Sequence, residues 1–121
     1  MPRLPFDRRV REVFHARRKT FESLGCVVEE AEPDFSDADE VFKVLRALSF
    51  YLQHGDKLPQ HRGQIKDTVI QEIERGARLT AAEIANAETR RSRLFARVGQ
   101  FMEKYEFFLL PVTQVPPFDV E

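Results

Sequence analysis

At 121 residues, with 42% hydrophobic and 32% charged side chains, the chain has the composition of an ordinary globular domain and is long enough to bury a core. Its 19 basic and 20 acidic side chains nearly cancel, so charge gives no reason to expect a nucleic-acid or acidic-membrane partner. Cys26 has no second cysteine to pair with, no apolar run approaches the ~20 residues that span a bilayer, and the opening "MPRLPFDRR" lacks the apolar core of a signal peptide. One domain in the cytoplasm is the expectation.

Taken in chain order, "LPFDRRVREVFHARRKTFESLG" predicts a helix. Asp7 is placed to cap it, Val10, Val13, Phe14, Phe21 and Leu24 recur at threes and fours, and Gly25 is placed to end it. "CVVEEAEP" reads as a short strand, β-branched at its start and closed by Pro33. A second helix follows in "DFSDADEVFKVLRALSFYLQHG". Asp37 with Glu40 three residues on suits a carboxylate cap, and Val41, Val44, Leu45, Leu48 and Leu52 form the expected buried stripe.

"HGDKLPQHRGQ" carries two glycines and a proline and reads as a loop. "IKDTVIQEIERG" predicts a short third helix that ends before Gly76. The strongest signal is "LTAAEIANAETRRSRLFARVGQFMEKYE". Thr80 and Glu83 form a capping box, and Ile84, Leu94, Val98, Phe101 and Tyr105 hold one face. The closing "FFLLP" is apolar throughout, as in a strand covered on both sides. The order is thus α-β-α-α-α-β, and two strands joined by helices imply a parallel α/β fold, with most of its sheet lying outside this chain.

Catalytic chemistry is sparse. His15, His54 and His61 are scattered, and the five glycines are too far apart to cradle a phosphate. Neither a metal nor an organic cofactor is expected. Ser23, Ser36, Ser49 and Ser92 each sit in a helical or cap-like setting, away from the glycine-rich turns that expose a nucleophile. The arginine clusters "RRVRE", "HARRK" and "TRRSR" interleave with acids, as on solvated helix faces.

The run "FESLGCVVEEAEPDF", a helical stretch, and then "LTAAEIANAETRRSRLFARVGQFMEKYEFFLLPVTQVPPF" together resemble the C-terminal half of the amidase signature family. These are serine hydrolases that include the A subunit of glutamyl-tRNA amidotransferase. The resemblance covers nearly all of residues 6–121. It implies an α/β/α scaffold and a Ser–cis-Ser–Lys triad carried on a glycine- and serine-rich segment that this sequence lacks, so no catalytic residue carries over. The chain then reads as a partial domain, 1–121, truncated at both ends. It would contribute scaffold and part of the pocket for an amide substrate.

The same resemblance places Phe50, Tyr51, Thr113 and Gln114 near the acyl or amine pocket. Their plainer reading is core or interface aromatics for the first two and ordinary loop polars for the others. Self-association of the chain is expected, since a two-stranded remnant would leave apolar surface open. The rival reading is an independent helical interaction module.

Overall fold

The computed structural model describes residues 5–118. The chain forms α1 (Arg8–Ser23), α2 (Ala38–His54), α3 (Leu58–His61), a 3₁₀ turn (Arg62–Gln64), α4 (Asp67–Ala77) and α5 (Ala81–Lys104). There is no strand among the described residues. The chain is helical, and the expected α/β fold, with its order α-β-α-α-α-β, is overturned. Two compact units divide it: a central one, residues 34–99, and a terminal one, residues 5–33 with 100–118.

The central unit is built on α2 and α4. Val41 and Ala47 of α2 and Ile70, Ile73 and Gly76 of α4 are buried, with Ile73 only 2% exposed and Ala47 not at all. Each buried Ile or Val contributes about 1.5–3 kcal/mol from lost water contact. Ile70, Ile73 and Gly76 recur at threes on one side of α4, and the missing side chain at Gly76 lets the two backbones come together. A Cβ built there would collide with the Ala47 carbonyl oxygen and lie 2.6 Å from Tyr51 Cβ. Ala87 of α5 completes the buried apolar set.

Local signals in the sequence are realised closely. The Asp7 carboxylate accepts from Arg9 N–H at 2.8 Å at the start of α1. At the other end Gly25 adopts φ +89°. Its N–H donates to Glu22 O, and the Cys26 N–H donates to Phe21 O. This paired C-terminal closure needs a left-handed residue, and glycine fills it without strain. In α5 the capping box forms in both directions: Glu83 N–H to Thr80 Oγ1 at 3.2 Å, and Thr80 N–H to Glu83 Oε2 at 2.8 Å.

Other expectations fail for identifiable reasons. Residues 26–32 form no strand. The Val28 carbonyl accepts from the Arg18 guanidinium at 2.6 Å, so a side chain occupies it and no neighbouring strand does; Cys26 is exposed. Residues 107–111 also form no strand, and Phe107, Leu109 and Leu110 are 78, 47 and 60% exposed. Phe108 is held edge-on against Phe101, with ring centroids 5.6 Å apart. The expected loop 54–64 contains α3 and the 3₁₀ turn, with Pro59 inside the first turn of α3, where its missing N–H costs nothing. Leu52, expected in the buried stripe of α2, is 71% exposed, and α1 buries no residue.

The contact at Gly76 gives a paired test. Gly76→Ala should destabilise by about 1–3 kcal/mol through overpacking. Gly99→Ala, at a position in α5 with nothing within 4 Å of the new Cβ, should stabilise by about 0.5–1 kcal/mol through helix propensity. Urea unfolding of both variants checks this, and equal effects would place the core elsewhere. The cap of α1 gives a pH test. Hydrogen bonding from Arg9 holds the Asp7 carboxyl at about 2, below its ordinary 3.8. A depressed carboxyl contributes stability that is full above the unfolded pKa and is lost as pH falls through the folded one. The stability difference between the wild type and Asp7→Ala should therefore shrink between pH 4 and 2, and a difference that does not vary with pH would refute the cap.

Candidate functional site

Four residues were expected near a pocket, and they fall in different units of the chain. Phe50 and Tyr51 are neighbours on α2 in the central unit, but 100° of helical rotation separates them. Tyr51 turns toward α4, where its Cβ abuts Gly76. Tyr51 is still 43% exposed, and Phe50 beside it is half-buried. The Arg46 guanidinium carbon lies 5.1 Å from its ring centroid and 5.6 Å from that of Phe42, and the His54 ring meets it edge-on at 6.0 Å. Phe42, Arg46, Phe50 and His54 thus form a ladder at fours along α2, held by cation–π and aromatic contacts of about 0.5–1 kcal/mol each at an exposed site.

Thr113 and Gln114 lie exposed in the terminal unit. The Thr113 hydroxyl donates to Val115 O at 2.6 Å, and the Gln114 carbonyl accepts from the Asp7 N–H at 2.9 Å. Both are engaged in local backbone structure. The Gln114 bond ties the proline-rich segment to the start of α1.

A charged cluster that the sequence reading did not single out joins α2 to α5. Asp37 precedes α2 with φ 73° and makes no capping bond to the helix. Its carboxylate instead faces Arg90 at 3.2 Å and Arg97 at 3.4 Å. Arg90 also reaches Glu40, and Arg97 reaches the Asp34 carboxylate at 3.2 Å and the Ser36 carbonyl. The signal was present in the spacing. Asp34, Asp37 and Glu40 recur at threes, and Arg90 and Arg97 are seven apart, two turns along one face of α5.

In the terminal unit, the Tyr105 hydroxyl donates to the Glu29 carboxylate at 2.7 Å, and Lys104 Nζ donates to the same oxygen at 3.0 Å. These bonds, Tyr105 first, pull the Glu29 carboxyl down. The bonds to Tyr105 and then Glu29 push the Lys104 ammonium up.

The serine hydroxyls are locally engaged. Ser23, Ser36 and Ser92 donate to Thr20 O, the Asp34 carboxylate and Glu88 O, and Ser49 accepts from Gln53. None of these partners is a histidine or lysine, the usual activating bases. Among the described residues no three His, Cys, Asp or Glu side chains are grouped to hold a metal, and no helix is long and apolar enough to cross a membrane. A cleft of about 540 Å³ lies beside α4 in the central unit, lined by Arg62, Gly63, Asp67, Ile70, Gln71 and Glu74. None of the four expected pocket residues lines it.

The Asp37 cluster predicts a graded response. Asp37→Ala should lose about 1–2 kcal/mol, because two arginines lose a shared acceptor while partial exposure screens the loss. Asp37→Gly should lose about 1 kcal/mol less than alanine, since glycine accepts the left-handed backbone. Denaturant midpoints of the two variants decide the matter, and alanine matching the wild type would show that the cluster is inert.

Comparison with known proteins returns no matching family model, no matching curated protein and no matching solved structure.

Proposed function

We propose that this chain is a segment of an amidase-type hydrolase, an enzyme of C–N amide bonds, which supplies scaffold and part of the substrate pocket and is not catalytic alone. One observation carries the reading. In the apolar segment 107–112, Phe107, Leu109, Leu110 and Val112 are exposed where a core segment would be covered, with Phe107 at 78% and Val112 at 99%. Val27, in the other extended stretch of the terminal unit, is 91% exposed. Burying such side chains is worth about 1.5–3 kcal/mol each, and further polypeptide of a larger domain is the cover this reading supplies. The order of sequence signals, from "FESLGCVVEE" to "YEFFLLPVTQVPPF", is what ties that larger domain to the amidase signature family.

In this reading the nucleophile and base belong to the rest of the enzyme. Serine attack on the amide carbon releases the amine and leaves an acyl-enzyme, which water then hydrolyses. Phe50, Tyr51, Thr113 and Gln114 contribute apolar and polar wall to the substrate site, with no metal or organic cofactor. The engaged serine hydroxyls support placing the nucleophile elsewhere. The alternative, a helical module that self-associates through the same apolar surface, draws on the same exposures and differs in its prediction.

Cloning the native coding region with its flanking sequence, and assaying the longest in-frame product beside the 121-residue chain, separates the two. The longer product should hydrolyse simple primary amides. The 121-residue chain should release product only at the uncatalysed rate. A native frame confined to these 121 codons would overturn the amidase reading and favour the module. So would turnover by the short chain that disappears with Ser49→Ala or Ser92→Ala.

A further inference from the structure

We infer that the terminal unit opens on its own as one cooperative piece, with Gly99 as the joint in α5 and the central unit left folded. The chain passes between the units at two places, from Pro33 to Asp34 and from Gly99 to Gln100. The second lies inside α5, so one helix belongs to both units. Its ties change sides there. Arg97 bonds the Asp34 carboxylate and the Ser36 carbonyl in the central unit. Phe101 meets the rings of Tyr105 and Phe108, and Lys104 and Tyr105 bond Glu29, all in the terminal unit. Gly99 falls between the two sets.

Glycine at this position has no steric reason. Gly25 holds a positive φ, and Gly76 makes room for the Ala47 carbonyl. Gly99 is exposed, needs no left-handed backbone, and would carry a Cβ with nothing within 4 Å of it. What it does is weaken the helix where α5 leaves the central unit, because glycine holds helical geometry less well than any residue except proline.

The units on either side of this joint are unequally held. Val41, Ala47, Ile70, Ile73 and Ala87, the buried apolar set, all belong to the central unit. In the terminal unit α1 buries nothing, and Val27, Phe107 and Val112 stay exposed. Polar bonds at exposed sites hold it instead, and each contributes little against water. They run in series: Gln114 to Asp7 at the start of α1, Arg18 of α1 to Val28, and Glu29 to Tyr105 at the end of α5. Losing one loosens the next, so the unit opens as a whole. Segments with few buried contacts and exposed bonds are the first to open. This inference rests on these contacts and is independent of the amidase reading.

Amide hydrogen exchange of the full chain in subdenaturing urea tests it. Amides of α1 and residues 101–104 should exchange through one opening, with a shared free energy and a shared urea dependence. That opening should be at least about tenfold more frequent than the one that exposes the amides of α2 and α4. Ile73→Val, in the central core, should speed exchange in α2 and α4 by about fivefold and leave α1 unchanged. Gly99→Ala should slow exchange in α1 by about threefold, because the joint must lose helix for the unit to open. Equal acceleration of α1 and α2 by Ile73→Val would show a single cooperative unit and overturn the inference. So would graded exchange along α1 with no urea dependence, which is fraying, or exchange in α1 unmoved by Gly99→Ala. None of these results bears on the amide-hydrolysis assay, so the two readings fail independently.

Discussion

The close approach of α2 and α4 at Ala47 and Gly76 is the constraint on which the central unit depends. A methyl group on one helix and a bare backbone on the other let the two come together until a Cβ at Gly76 would strike the Ala47 carbonyl. That proximity goes with the burial of Val41, Ile70 and Ile73, and it sets the Tyr51 Cβ against Gly76. Dispersion falls off steeply with separation, so a small widening would loosen every side chain in the contact at once. The terminal unit has no equivalent. Pro33 is its one buried residue among those described, and it is held by charged, backbone and ring contacts at its periphery.

Which parts of this were legible in the sequence follows from the range over which each signal acts. Caps are short-range: Asp7 acts two residues on, Gly25 closes hydrogen bonds within five residues, and Thr80 and Glu83 answer each other across one turn. No distant residue competes for them, and all three were readable. Asp37 carries much the same local signal and behaves differently. Arg90 and Arg97 reach it from α5, and a charge-assisted bond to a carboxylate outweighs a neutral backbone cap. Nothing in the spacing of Asp37 and Glu40 alone could reveal that.

The strands failed for a related reason. Val27, Val28 and the run from Phe107 to Leu110 have strand-like composition, but β propensity describes how a residue fits a neighbouring strand, and these segments meet helices and long side chains. The helix stripes failed in degree. The pattern in α2 marks which residues are apolar without saying how many faces are covered, so Leu52 was grouped with Val41 although they end 71% and 5% exposed. The residues expected at a pocket are two pairs of neighbours, one pair in each unit. Adjacent positions on a helix point apart, and Phe50 and Tyr51 do so.

The two kinds of uncovered apolar surface ask for different kinds of cover. A helix has already satisfied its backbone, so exposed side chains of α2 such as Phe42 and Leu52 ask only for side-chain packing. An extended apolar segment such as 107–111 lacks that internal satisfaction. Cover over it must accommodate main-chain polar groups as well as apolar side chains, or their desolvation cancels the gain from burying Phe107 and Leu110. Packing of helices alone meets the first demand and leaves the second open. A permanent neighbour in the same folded domain would meet both demands at residues 107–111, which is the cover that the proposed scaffold role supplies.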